Sequence, residues 1–268
     1  MFLQTALEAA RIGGKILKEN LSGQKSREIS EKQKFDFVTQ VDVLAEKAIM
    51  AFILEQHPEH NILAEESGGQ KTNGFLWVVD PLDGTTNYIH GFPAFAVSVA
   101  LLHQGQVQVG VILDPLRGEL FAAEKGHGAS LNDELIQVSQ TTDISQCLLG
   151  TGFPFRAKHL TMPYFKAFTS MFQEVSDLRR AGAAALDLAY LACGRIDGFW
   201  EVGLNLWDIA AGVLLIEEAG GTVSGFLSAN DHLETGNIIA SNGKIHEQIA
   251  SHVTRAFQDV RFERAMRE

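Results

Sequence analysis

The chain has 268 residues and a formal net charge of −11, with 46% hydrophobic and 21% charged residues. That is ordinary globular composition, enough for one large domain or two compact halves. The acidic balance argues against a general grip on nucleic acid, which needs Lys and Arg against phosphates, but allows an enzyme for a small anion, because bound cations reverse a local field.

No apolar run reaches the roughly 18 residues that a membrane span requires. Arg11, Lys15, Lys18 and Glu19 interrupt the apolar residues at the N-terminus, so this segment reads as a helix and not as a signal peptide. Cys147 and Cys193 sit among apolar or small residues. They are expected as two buried thiols in a reducing, cytoplasmic setting, not as a disulfide.

In chain order, Phe2, Leu3, Ala6, Leu7, Ala10, Gly13 and Leu17 share one face of a helix over residues 1–20. Residues 22–36 are polar and charged and read as a mobile loop. Thr39 opens a second helix, with Val41, Leu44, Ala48 and Phe52 at helical spacing and Pro58 closing it. Asp42 in its first turn suits the helix dipole. His57 and His60 have no second histidine pair to make a zinc site and are expected at the surface. A short strand at 62–64 ends in Glu65-Glu66-Ser67-Gly68-Gly69, and an apolar strand at 75–79 ends in Asp80-Pro81-Leu82-Asp83-Gly84-Thr85-Thr86-Asn87.

Residues 94–103, 106–113 and 119–124 follow as an antiparallel meander with turns at Gln104-Gly105 and Arg117-Gly118. Gly126-His127-Gly128 reads as a further turn. Beyond residue 145 the order is mixed: strand near 147–151, helices near 163–174 and 183–193, strand near 198–202, helix near 208–219, strands near 221–226 and 237–241, and a helix near 244–257. Two α/β lobes, 1–143 and 144–268, are expected, with a small-molecule cleft between them. Arg179-Arg180 reads as a subunit contact or surface pair.

The octet at 80–87 carries the clearest chemistry. Two carboxylates about 4 Å apart repel by roughly 4 kcal/mol at an effective dielectric near 20. A hard divalent cation relieves that repulsion, and an all-oxygen donor set favours magnesium or its relatives. Gly84 and Thr85 add free N–H groups and a hydroxyl suited to a phosphate. If the strands at 62–64 and 75–79 are neighbours, Glu65 and Asp80 can share the cation. Asp208 follows Trp207 at a helix start, where an N-cap is its ordinary role. In an apolar region, though, a carboxylate there needs a partner. The chain has no Walker loop and no nucleophile elbow.

Together, Glu65-Glu66-Ser67, Asp80-Pro81-Leu82-Asp83-Gly84-Thr85, Trp207-Asp208-Ile209-Ala210-Ala211-Gly212 and Glu218-Ala219-Gly220-Gly221 resemble the inositol monophosphatase family of magnesium-dependent, lithium-sensitive phosphatases. The stretches Gly152–Phe155, Ala185–Tyr190 and Gly194–Glu201 look like its bacterial inositol-1-monophosphatase branch.

The resemblance implies a layered αβαβα sandwich, shared with fructose-1,6-bisphosphatase, and a homodimer. It implies that Glu65, Asp80 and the Leu82 carbonyl hold a first Mg2+. Asp80, Asp83 and Asp208 would hold a second, and Glu65 would reach a third through water. Asp42 and Thr85 would polarise the attacking water, and Gly84 and Thr85 N–H groups would hold phosphate oxygens. Asp83, Ala184, Glu201 and Asp208 match substrate-contacting positions. Residues 31–36 match the family poorly, and no lysine there is assigned a role. The implied substrate is myo-inositol 1-phosphate or a related polyol phosphate. Alternatives on the same fold are fructose 1,6-bisphosphate, a nucleotide 3′-phosphate, NADP or histidinol phosphate. A regulatory protein-binding role with secondary phosphatase activity stands beside them.

Overall fold

The computed structural model describes residues 1–21, 29–33, 36–228 and 230–260. It opens with helix α1 (Phe2–Asn20), a two-stranded antiparallel hairpin of β1 (Ile29–Gln33) and β2 (Asp36–Thr39), and helix α2 (Gln40–Gln56). The loop expected over 22–36 is thus partly hairpin, and its remainder lies outside the described residues. Strands β3 (Asn61–Ala64) and β4 (Phe75–Asp83) follow, then the short helix α3 (Thr85–His90). Next come β5 (Ala96–His103), β6 (Gln106–Asp114), β7 (Glu119–Glu124), β8 (Ala129–Leu131) and β9 (Glu134–Leu135).

Strands β3 to β9 form one seven-stranded sheet in sequence order. β3 and β4 are parallel, and the rest is an antiparallel meander.

The second half contains β10 (Leu148–Thr151), α4 (Thr161–Phe172), β11 (Asp177–Arg179), α5 (Ala184–Ala192), β12 (Gly198–Glu201) and α6 (Leu206–Glu218). It ends with β13 (Thr222–Ser224), α7 (His232–Thr235), β14 (Ile238–Ser241) and α8 (His246–Phe257). A five-stranded sheet has the order β11-β10-β12-β14-β13. β10 runs parallel to both its neighbours, and β14 runs antiparallel to both of its own.

Three apolar clusters define the layers. α1 and α2 pack on the outer face of the seven-stranded sheet through Leu17, Ile49, Trp77 and Val99. α5 and α6 fill the space between the sheets, where Leu188, Ile209 and Leu215 meet Val78, Phe121 and Phe199. α4 and α8 cover the far face of the five-stranded sheet through Tyr164, Trp200 and Val253. The fold is an αβαβα sandwich. α5 and α6 are apolar nearly all round, as a helix layer buried on both sides must be, so the carboxylates on them stand out.

Local sequence accounts for the element ends. Thr39 caps α2: its hydroxyl accepts from Val41 N at 3.2 Å, and its N–H donates to Asp42 Oδ2 at 2.8 Å. That is a reciprocal capping box, with a carboxylate in the first turn.

Four expectations change. β4 does not stop at Val79 but continues through Asp83, with a bulge where Asp80–Asp83 faces Ser98–Ala96. Pro81 cannot donate to a ladder, and a bulge is where a strand tolerates it. Asp208 is not the N-cap of α6: Asn205 is, and Asp208 Oδ2 accepts from Asn205 N at 2.7 Å. His57 is buried, with Nε2 3.0 Å from the Thr5 hydroxyl and its ring stacked on His60 and Trp77. Both cysteines are free thiols, but only Cys147 is buried and Cys193 is half-buried.

Candidate metal and phosphate site

The parallel pairing of β3 with β4 sets Ala64 beside Val79, so the next residues, Glu65 just past the end of β3 and Asp80 within β4, stand side by side. Glu65 N donates to Val79 O at 3.1 Å, fixing the exit. The turn after Glu65 is held by Glu46 of α2, which is buried and accepts from Glu66 N at 2.7 Å and Ser67 N at 2.8 Å. The bulge then carries Asp83 back into line with Asp80. Gly84 follows at φ +89°, where a Cβ would lie 2.9 Å from the Ala94 carbonyl oxygen, so glycine is required there.

Carboxylate oxygens of Asp80, Asp83 and Asp208, from β4 and α6, lie within 4.8 Å of one another, and all three residues are buried. Asp80 Oδ1 accepts from Leu82 N at 2.9 Å. Asp80 Oδ2 is buried with no hydrogen-bond partner. Asp83 Oδ2 accepts from Ala185 N at 2.8 Å, at the start of α5. The Thr85 hydroxyl donates to the Leu82 carbonyl oxygen at 3.1 Å. Asn87 Nδ2 meets the carbonyl oxygens of Ala94, Ala181 and Gly182 at 2.7, 2.9 and 3.2 Å, tying α3 to the loop before α5.

The carboxylate cluster, with Gly84, Thr85 and Asn87, lines a cavity of about 300 Å³. The structure brings Glu65, Asp80, Leu82, Asp83, Gly84, Thr85, Ala184, Glu201 and Asp208 to its wall. Asp42 does not line it; that carboxylate serves the cap of α2.

Charge in this cavity is strained. Burial pushes the Asp80 carboxyl well above the usual range, and the charges of Glu65, Asp83 and Asp208 push it further. Burial and Asp208 do the same to Asp83, opposed by the Ala185 N–H. Glu201 is raised by burial and by Asp187, and Asp187 is pushed up to about 8 by burial. An all-oxygen acidic set with an orphaned buried oxygen fits a hard divalent cation.

Sequence reasoning missed four residues here. Arg180 is exposed, as a surface residue would be, but it also lines the cavity, with its guanidinium 5.2 Å from the Phe153 ring centroid. Its neighbour Arg179 is exposed and paired with Asp177 at 2.5 Å. Arg156 lines the mouth, 3.7 Å from Glu65. Asp187 lines the cavity from α5, and Glu46 supports the Glu65 turn. A lone acid in the apolar run Ala184–Ala192 was the one readable signal.

A sequence profile of the Inositol monophosphatase family matches residues 1–258. The Nus factor SuhB of Escherichia coli K12 is 44% identical over 259 residues, covering 96% of this chain and 97% of that protein. An inositol monophosphatase structure from Anabaena (Nostoc) sp. PCC 7120 superposes with a TM-score of 0.85 at 42% identity, covering 95% of each chain. The IMPase of Thermotoga maritima gives 0.88 at 33% identity, covering 97% of this chain and 99% of that one. With its profile match, its layered fold and its buried carboxylate cluster, the chain belongs to the inositol monophosphatase family.

Proposed function

We propose that the protein is a magnesium-dependent phosphomonoesterase that releases phosphate from myo-inositol 1-phosphate or a closely related polyol phosphate. The observation that carries this reading is the buried Asp80–Asp83–Asp208 cluster with its orphaned Asp80 oxygen, set beside Gly84 and Thr85. Glu65, Asp80 and the Leu82 carbonyl would hold one Mg2+, and Asp80, Asp83 and Asp208 a second, with Glu65 available to a third.

When bound, the cations supply positive charge to the phosphoryl oxygens and make water a better nucleophile. The chain's own groups do the positioning. Gly84 and Thr85 N–H groups hold phosphate oxygens. The Thr85 hydroxyl donates to Leu82 O, which leaves its oxygen to accept a hydrogen bond from the attacking water and orient it. Asp42 would share that task only by turning its carboxylate from the cap of α2 toward Thr85. Ala184 is the first residue of α5, where backbone N–H groups have no intrahelical acceptor; with Asp83, Asp208 and Glu201 it would take substrate oxygens. Positioning and electrostatics of this kind need no nucleophilic side chain.

The enzyme would work as a lithium-sensitive cytoplasmic homodimer. No helix among the described residues is long and apolar enough to cross a membrane. The test is phosphate release from a panel of myo-inositol 1-phosphate, fructose 1,6-bisphosphate, a nucleotide 3′-phosphate, NADP and histidinol phosphate, with and without Mg2+.

A second reading has its own support: a relative at 44% identity is a Nus factor. A regulatory partner bound through a surface away from the cavity is compatible with an intact site. A pull-down with wild type and Asp83→Asn separates partner binding from catalysis.

A further inference from the structure

We propose that Asp187 is a further specificity-determining residue, forming with Glu201 and Arg180 a subsite for the hydroxyl groups of the substrate's alcohol half. This rests on the phosphomonoesterase reading above and deepens it.

Asp187 sits in the first half of α5 among Ala, Leu and Tyr. Helix propensity and burial both disfavour aspartate there. It is only 4% exposed, and what remains exposed faces the cavity it lines. Its carboxyl makes no hydrogen bond or ion pair with any described residue. A buried carboxyl kept for the fold is ordinarily paired, so the fold offers this one no task.

Glu201, at the end of β12, is in the same condition: 7% exposed, lining the cavity and without a hydrogen-bond partner among the described residues. β10 lies beside β12 with Thr151 paired to Trp200, which sets Gly152 next to Glu201. A Cβ on Gly152 would overlap the Glu201 carboxyl, so glycine there leaves the Glu201 carboxyl its place on the cavity wall. Gly150, two residues earlier, lies in ordinary contact range of the Asp187 carboxyl, where a Cβ would sit 3.5 Å from its Cγ, so the two acids lie along one stretch of chain.

Arg180 is the third wall. Its guanidinium stacks on Phe153, and its charge draws both acids down against the effect of burial. It forms no ion pair with either among the described residues. Three charged groups thus surround a space that none of them fills.

The chemistry of that space selects a ligand class. A hydroxyl donates one hydrogen bond and accepts others. Two carboxyls supply acceptors and the guanidinium supplies donors, which suits neighbouring hydroxyls on a ring.

The test uses the Mg2+-loaded enzyme with myo-inositol 1-phosphate and with cyclohexyl phosphate, the same ring without hydroxyls, as substrate or competing inhibitor. Asp187→Leu is expected to shift the preference between the two by about tenfold or more toward the cyclohexyl ester, as when a site built to bond hydroxyls loses one partner. Asp187→Asn, which keeps an acceptor and a donor, should recover most of that preference. Both variants should melt no lower than wild type in chelator, because an unpartnered buried acid has been removed. An equal loss on both esters, or a preference that stays put, overturns the proposal. Wild type inactive on every monoester at saturating Mg2+ overturns the phosphomonoesterase reading instead, and this inference with it.

Discussion

Asp83 Oδ2 accepts a hydrogen bond from Ala185 N at 2.8 Å, joining the bulge of β4 to the first turn of α5. The same carboxylate belongs to the Asp80–Asp83–Asp208 cluster. One side chain thus ties the seven-stranded sheet to the helix layer between the sheets and contributes charge for a cation.

Asp83→Asn separates those roles, since an amide oxygen still accepts from Ala185 N. Phosphate release should fall by about 100-fold or more, the scale seen when a preorganised electrostatic group is lost. In chelator the variant should melt higher than wild type, because one of several mutually repelling buried acids is gone. Differential scanning calorimetry with parallel assays checks both.

Magnesium should stabilise the wild type in proportion to the occupancy of the cluster. A ligand at 100 times its Kd adds about 2.7 kcal/mol to a fold that binds it only when native. A midpoint that rises with Mg2+, returns with chelator and ignores equal ionic strength of NaCl is the expected result.

Stability in chelator should also depend on pH through Asp187. Its folded value of about 8 lies above the ordinary 3.8. The folded state then binds more protons than the unfolded state across that interval, so stability declines as pH rises from about 4 to about 8 and levels off above. Asp80 and Asp83 shift in the same direction. Buried His57 and half-buried His246 are lowered by burial and act at the acid end, so the informative quantity is the difference between wild type and Asp187→Asn. That difference should grow in the variant's favour between pH 5 and pH 8 in urea titrations.

Glu46 supports Glu65 without lining the cavity. Glu46→Ala removes the acceptor for two N–H groups and should lower stability by about 2 kcal/mol, as for hydrogen bonds to a charged group. Because the Glu65 turn loses its brace, the Mg2+ concentration at half-maximal activity should rise while the KM measured at saturating Mg2+ changes little.

Much of this site is readable in the sequence because its ligands sit at element ends. A strand that runs apolar and then stops at an acid exposes Asp80 and Asp83, and an acid opening an apolar helix exposes Asp208. Adjacent parallel strands bring Glu65 to Asp80 as their spacing implied. What escaped depends on tertiary approach. Arg180 stays exposed and looks like half of a surface pair until the fold sets it at the cavity beside Phe153, and Glu46 looks like a solvated helix position until the 65–67 turn lands on it. The bulge at Pro81 moved the end of β4, and His57 was buried by α1, a contact no local pattern encodes. Asp187 was visible as an anomaly in an apolar helix, but only the tertiary approach of Thr151, Gly152 and Glu201 gives it a cavity to face.

The most direct measurement is initial-rate phosphate release from myo-inositol 1-phosphate by the wild type across a Mg2+ titration, repeated with Asp83→Asn and with added LiCl. The predicted result is hydrolysis that requires Mg2+, stops in chelator, is inhibited by lithium and is lost in Asp83→Asn. Hydrolysis at the wild-type rate in chelator, or in Asp83→Asn, would contradict the account.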